Sequence, residues 1–329
     1  MRSAESDPQP AVAGRAGGRA VAEEATDRRR GVMLGVSAYL LWGGFPLVFH
    51  RLSDVAAVEV LMHRVAWSFV VVVAVLIVRR DRTWLNVLVS PGSERRRLAA
   101  AAALISVNWL VYVWAVAQDR VVEAALGYYV NPLITVALGV LLLRERLSRA
   151  QVAALVLAVA AVVVLTVAYG QVPWVSLVLA CSFAGYGYIK KSVTSTALTS
   201  LAVETAVLLP FAVVGFVFLA LDGSLAFLHG SNGRDLLLLS LGAVTATPLV
   251  LFAASARRVP LVVLGMLQYL TPSMQLALGV TVLGEDLPPE RLAGFVLVWA
   301  ALVVLGIDAA RTASTGRLPA ILEETADAT

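Results

Sequence analysis

An all-α integral membrane protein of ten transmembrane helices, arranged as two inverted five-helix repeats, is the fold this sequence predicts, on three observations. The chain is 59% hydrophobic and only 15% charged, outside the usual composition of soluble domains. Its apolar residues gather into ten runs of about 20 residues, enough for a helix to cross a hydrocarbon core of about 30 Å. A close copy of one run returns 140 positions later: AALGYYVNPLITVALGVLLLRERL at 124–147 against LGMLQYLTPSMQLALGVTVLGEDL at 264–287. Without a gap, Tyr129 falls on Tyr269, Pro132 on Pro272, Gly139 on Gly279, Glu145 on Glu285 and Leu147 on Leu287. Self-similarity at a fixed period reports architecture before any single residue does.

Residues 1–30 are rich in Ala, Gly, Glu and Arg with no apolar run, which predicts a disordered tail and no signal peptide. Spans are predicted at 32–50, 56–78, 98–118, 123–143 and 150–169, then at 173–189, 199–221, 235–255, 261–283 and 291–308. The sixth is the least hydrophobic. Residues 31–170 hold the first five, residues 171–309 the second five, and residues 310–329 form a polar tail. Basic residues set the orientation. One side collects Arg28, Arg29, Arg30, Arg79, Arg80, Arg82, Arg95, Arg96, Arg97, Arg144, Arg146, Arg149, Lys190, Lys191, Arg257, Arg258, Arg311 and Arg317, while the other holds Arg51, Arg120, Arg234 and Arg291. Cytoplasmic loops carry such an excess, so both termini are expected in the cytoplasm and the number of spans is even. Five spans per half is an odd number, so the second half crosses in the opposite sense. The arginines are topology determinants, which disposes of nucleic-acid binding as the meaning of the +4 net charge. A lone Cys181 and scattered His50, His63 and His229 offer neither a disulfide framework nor a metal set. No phosphate loop or HExxH motif occurs, so no cofactor is expected.

Polar residues inside the spans are the candidates for function. Arg64 falls near the bilayer midpoint, where an arginine costs at least about 2.5–3.5 kcal/mol and must face a partner or a wet cavity. Two roles are open: a structural pin, or an anion-attracting group on a pathway. Glu59 and His63 are four apart and share a helix face, which makes them proton-coupling candidates, with an interfacial acid and simple packing as the alternatives. Pro132 and Pro272 each remove a backbone donor in mid-span, an opening tolerated where it lines a cavity. Tyr128, Tyr129 and Asn131 surround the first, and Gln268, Tyr269 and Gln275 the second. Such groups suit weak, reversible binding of a small amphipathic molecule, or interhelical hydrogen bonding. Asn108 and Tyr112 share a stripe on span three and form a plausible cavity wall. Trp42 precedes the weak-helix sequence Gly43-Gly44-Phe45-Pro46, and Pro46 and Pro248 join the two repeat prolines as candidate hinges.

Several of these stretches form a pattern. AYLLWGGFPLVF, EVLMHRVAWS, NWLVYVWAV, EAALGYYVNPLITVALGVLLLRERLS and LGMLQYLTPSMQLALGVTVLGEDL resemble the RarD-type branch of the EamA family, within the drug/metabolite transporter superfamily. The resemblance covers roughly residues 31 to 308 and implies ten helices in two inverted halves around a central cavity reached alternately from each side. It implies a bacterial inner-membrane location and export or exchange of small metabolites and some drugs. By similarity, Trp42, His63, Arg64, Asn108, Tyr128, Tyr129, Asn131, Gln268 and Tyr269 form the cavity set, while Glu145 and Glu285 are read as turn residues. The expected function is alternating-access transport of a small organic molecule, proton-coupled or by exchange, with the lipid bilayer as its surroundings. A membrane receptor or assembly scaffold is the alternative. An enzyme is not expected, since no nucleophile, metal set or second acid accompanies Glu59 and His63.

Overall fold

The computed structural model describes residues 10–143, 148–256, 258–259, 263 and 267–314. Among them it contains helices and no strand. The helices are α1 (Pro10–Gly43), α2 (Phe45–His50), α3 (Ala57–Val78), α4 (Thr83–Val89), α5 (Ser93–Ala117) and α6 (Val121–Leu143). They continue as α7 (Arg149–Tyr169), α8 (Trp174–Lys191), α9 (Ala197–Asp222), α10 (Asn232–Ala256), α11 (Leu270–Thr281) and α12 (Pro289–Ser314). Among the described residues, eight segments are long and apolar enough to cross a membrane: Thr26–His50, Ala57–Val78, Ser93–Ala117, Val121–Leu138, Arg149–Val167, Ala197–Asp222, Asn232–Ala256 and Pro289–Asp308. The sixth predicted span corresponds to α8, which ends in Lys190 and Lys191. The ninth is represented by the 12-residue α11, and much of its first part lies outside the described residues. Glu145 lies outside them as well.

Two differences from the sequence expectation have local causes. Residues 10–30, expected to be an irregular tail, are part of α1, and their Ala, Glu and Arg content favours a helix. The prolines are not equivalent. Pro132 and Pro248 lie inside continuous helices, as does Pro210 of α9, which was not singled out. Pro46 and Pro272 instead lie in the first turns of α2 and α11, where a backbone N–H has no intrahelical partner to lose. The chain is therefore interrupted at Gly44 and at residues 268–269, and not at Pro132 or Pro248.

Helix pairing runs mainly between the halves. Let α1, α3, α5, α6 and α7 correspond to α8, α9, α10, α11 and α12. The contact of α1 with α10 is then matched by that of α8 with α5, and α1 with α11 by α8 with α6. Likewise α3 with α10 is matched by α9 with α5, while α3–α9, α6–α11 and α7–α12 each map onto themselves. The packing is reciprocal under exchange of the halves. Three apolar clusters fill it: one around Phe49, Tyr112, Leu179 and Leu241, a second around Val65, Leu98, Trp109 and Ala202, and a third around Leu126, Tyr129, Phe295 and Val298.

Loop contacts define the two ends of the bundle. At the arginine-rich end, Glu94 accepts from the Ser195 amide (2.9 Å), and Arg97 donates to the Ser192 carbonyl at 2.8 Å. At the opposite end, Arg234 pairs with Asp54 at 2.9 Å.

Candidate functional site

Arg64 on α3 is only 4% exposed. Its Nε donates to Thr245 Oγ1 on α10 at 3.1 Å. The guanidinium carbon lies 4.0 Å from the centroid of the Trp109 ring on α5, and 5.4 Å from each of the Phe45 and Phe49 rings on α2. Among the described residues it forms no ion pair and no hydrogen bond beyond the one to Thr245. A buried cation is normally paired with a counter-charge, because leaving water costs several kcal/mol. Here aromatic faces supply the attraction to the flat of the guanidinium. Its terminal N–H groups are not committed to a carboxylate among the described residues.

Beside this group lie two hydrogen-bonded sets joined by a ring contact. Gln275 on α11 donates through Nε2 to the Tyr112 hydroxyl at 3.0 Å and to the Trp42 carbonyl at 3.3 Å. A carbonyl only accepts, which fixes the orientation of the amide. Among the described residues, Gln275 Oε1 is consequently left buried without a partner. The Tyr112 ring packs 5.9 Å from Phe49 and 5.8 Å from Tyr128. The Tyr128 hydroxyl donates to Asn108 Oδ1 at 3.3 Å, and Asn108 Nδ2 donates to the Leu179 carbonyl (3.0 Å) and to Ser182 Oγ (3.1 Å). Asn108 thus ties α5 to α8. Elements α2, α5 and α10 surround Arg64 of α3, and the adjoining hydrogen bonds extend the cluster to α1, α6, α8 and α11, so both halves contribute to it. Trp42, Arg64, Asn108, Tyr112, Tyr128 and Gln275 are brought together.

Tyr129 and Tyr269 are placed elsewhere. Their rings stack at 6.5 Å with 16° between planes, and the Tyr129 hydroxyl shares a 2.6 Å hydrogen bond with Ser273. Phe295 and Trp299 of α12 meet the Tyr129 ring edge to face. Adjacent helix residues point about 100° apart, so Tyr128 and Tyr129 face different neighbours. Among the described residues Asn131 Oδ1 is buried without a partner, and Gln268 sits in the turn before α11. Thr245, Phe45, Phe49 and Ser182 were not among the sequence candidates. Thr245 stands 181 residues from Arg64, and no periodicity links the two.

Glu59 and His63 lie together, and each is already engaged by other groups of the protein. Glu59 accepts from the Ala226 amide at 3.0 Å and the Phe227 amide at 2.9 Å, in the loop between α9 and α10. His63 Nε2 lies 3.8 Å from Glu59 Oε1, and His63 Nδ1 accepts from Trp67 Nε1 at 3.0 Å. An indole nitrogen only donates, so the imidazole is held with its proton on Nε2. Phe216 and Phe227 enclose the ring at 4.8 and 4.7 Å.

At the same end, Glu285 follows α11 and accepts from the amides of Val121 and Val122, the latter at 2.8 Å. Burial pushes the Glu285 carboxyl above the ordinary carboxylate value, outweighing the two amides and Arg291 that pull it down, while Asp119 adds to the rise. A cleft of about 270 Å³ beside it is lined by Asp119, Arg120, Val122, Glu123, Gln171, Glu285 and Arg291. Among the described residues, no cluster of His, Cys, Asp and Glu has the arrangement of a metal site.

Comparison with known proteins gives these positions a context. Residues 29–167 match the EamA-like transporter family. The chain is 48% identical over 291 residues to the protein RarD of Streptomyces exfoliatus, covering 88% of this chain and 92% of the relative. It is 43% identical over 291 residues to an uncharacterized transporter of Pseudomonas aeruginosa, covering 88% and 97%. To the protein RarD of Escherichia coli strain K12 it is 38% identical over 291 residues, covering 88% and 98%. A crystal structure of 18% sequence identity superposes with a TM-score of 0.57, covering 85% of this chain and 98% of the other, a likeness of fold alone.

Proposed function

The chain belongs to the EamA-like transporter family, a multi-pass membrane family of the drug/metabolite superfamily, and from that premise we propose that it is a secondary transporter moving a small organic molecule across the plasma membrane by alternating access. Arg64 carries this reading. It is a buried cation without a counter-charge among the described residues, at a point where both halves contribute side chains. The solute places an anionic group on the Arg64 terminal N–H groups, and the aromatic rings of Trp109, Phe49, Tyr112 and Tyr128 receive its apolar part.

The sequence repeat and the reciprocal helix pairing support an inverted arrangement of two five-helix halves. In transporters of that design the substrate lies near the midplane between the repeats, which rock about it. Both termini face the cytoplasm in this reading, since the arginine-rich loops lie at one end. The interruptions at Gly44 and at residues 268–269 are the points where backbone dihedrals absorb the motion. Exchange or facilitated flux fits the geometry better than proton coupling through Glu59 and His63. The Glu59 oxygens hold loop amides, and His63 Nδ1 is taken by Trp67.

Purified protein is first heated with a panel of small organic carboxylates and their matched neutral amides. A carboxylate that raises the unfolding temperature is then radiolabelled and tested for counterflow in proteoliposomes. Transient accumulation against unlabelled solute inside is the expected result. Equal stabilisation by each carboxylate and its amide overturns the anion site, and no counterflow above protein-free liposomes overturns the carrier.

A further inference from the structure

We propose that Glu285 and Glu59 are reciprocal latches, each joining one half of the transporter to the other, which together hold one mouth of the transport path shut. The inference rests on the carrier reading above and adds a gate to it. The Glu285 carboxylate, in the second half, accepts from the amides of Val121 and Val122 in the first. The Glu59 carboxylate, in the first half, accepts from the amides of Ala226 and Phe227 in the second. Both lie at the end of the bundle where Arg234 meets Asp54.

The way the amides are satisfied distinguishes a latch from an ordinary cap. The first amides of a helix need an acceptor, which the residue just before the helix usually supplies. Helix α7 follows that rule: Ser148 Oγ accepts from the Gln151 amide at 3.1 Å and Gln151 Oε1 from the Ser148 amide at 2.9 Å. Helix α9 follows it too, with Thr196 accepting from the Thr199 amide at 3.2 Å. Helix α6 does not. Arg120 precedes it and brings no side-chain acceptor, and the acceptor comes instead from a residue 163 positions away. A carboxylate placed there also meets the positive end of the helix dipole. A local cap persists whatever the halves do, whereas one supplied from the opposite half is broken whenever they part. Gly279 of α11 allows this approach, since a side chain there would press on Val122. The charged groups around Glu285 are Asp119, Arg120 and Glu123 on the α6 side and Arg291 on α12. Arg120 is itself engaged by Glu123 at 2.6 Å.

The experiment reads opening directly and requires no substrate. A reporter cysteine replaces Leu126, which is 1% exposed and one turn below Val122 on α6. It is placed in a Cys181→Ser background, because the native thiol is exposed. The full chain in lipid nanodiscs is treated with a water-soluble maleimide. Glu285→Ala is expected to raise the labelling rate of Leu126→Cys at least tenfold, Glu59→Ala to raise it as well, and Glu285→Gln, which keeps one acceptor oxygen, to raise it less. A control cysteine at Leu201, buried toward the arginine-rich end on α9, is expected to label no faster. An unchanged rate at Leu126→Cys overturns the latch, and so does an equal rise at both reporters, which is general loosening. Failure here leaves counterflow intact, whereas failure of the carrier reading abolishes counterflow and leaves these rates as they are.

Discussion

On the carrier reading proposed above, Arg64→Gln is expected to abolish the stabilisation of the protein by an organic carboxylate while leaving the ligand-free protein at least as heat-resistant as the parent. The two halves of that result come from the same geometry. Hydrogen bonds to a charged partner contribute about 1.5–3 kcal/mol, and each 1.4 kcal/mol is tenfold in affinity, so the variant binds roughly 10- to 150-fold more weakly. The ligand-free protein, in turn, loses a buried cation that has no carboxylate partner among the described residues. Removing an unpaired buried charge relieves a desolvation cost and does not break an ion pair. A structural pin behaves in the opposite way, with a marked fall in unfolding temperature and an unchanged ligand response. Differential scanning fluorimetry of parent and variant, with and without the anion, separates the two. Arg64→Lys belongs in the same series. It keeps the charge but loses the planar group that lies 4.0 Å over Trp109, and a compact ammonium cannot replace it. It is expected to bind only slightly better than Arg64→Gln.

The sequence announced the need for this site but not its composition. An arginine at mid-span is conspicuous in any hydrophobic run, and the constant offset of 140 already paired the segments that carry Tyr129 and Tyr269. Those two residues do meet, ring on ring at 6.5 Å, as equivalent positions do where two related elements face one another. Placing them in one pocket with Tyr128 overlooked the 100° step between neighbours on a helix, which sends Tyr128 toward α5 and Tyr129 toward α11 and α12. Thr245 was out of reach for a different reason. A threonine in an apolar helix is unremarkable until a donor is found opposite it, and that donor belongs to another helix. Pro272 misled because a proline reads the same at the first turn of a helix as in its middle. The helix start at Leu270 decides between them, and it follows from tertiary packing that includes the Thr271 hydroxyl donating to the Tyr39 carbonyl at 2.8 Å.

The approach of α3 to α10, on which the Arg64 contact depends, is set by Gly242. A Cβ on this residue would overlap the backbone carbonyl of Trp67 on α3, an atom with no rotamer to retreat into. Arg64 and Trp67 are three apart on α3, and Gly242 and Thr245 three apart on α10, so each pair lies on a shared face. The glycine therefore fixes the separation at which Arg64 Nε reaches Thr245 Oγ1. In a bilayer, water does not drive helices together as it does in solution, and small residues let backbones pack closely. Gly242→Val is expected to force α3 and α10 apart, costing about 3 kcal/mol, the upper part of the range for overpacked interiors, because the clash is with backbone. The unfolding temperature of detergent-purified protein should fall clearly, and the residual folded fraction should bind the organic anion poorly, since the Arg64 guanidinium is no longer held by Thr245. Gly306→Val is the matched control: the same substitution, also within a helix, at a position where a Cβ meets nothing within 4 Å. It is expected to stay within about 0.5 kcal/mol of the parent, as a surface change away from packing contacts does. Should the two valine variants unfold alike, the close crossing at Gly242 is not what positions Arg64, and the cluster around it is held by the aromatic rings alone.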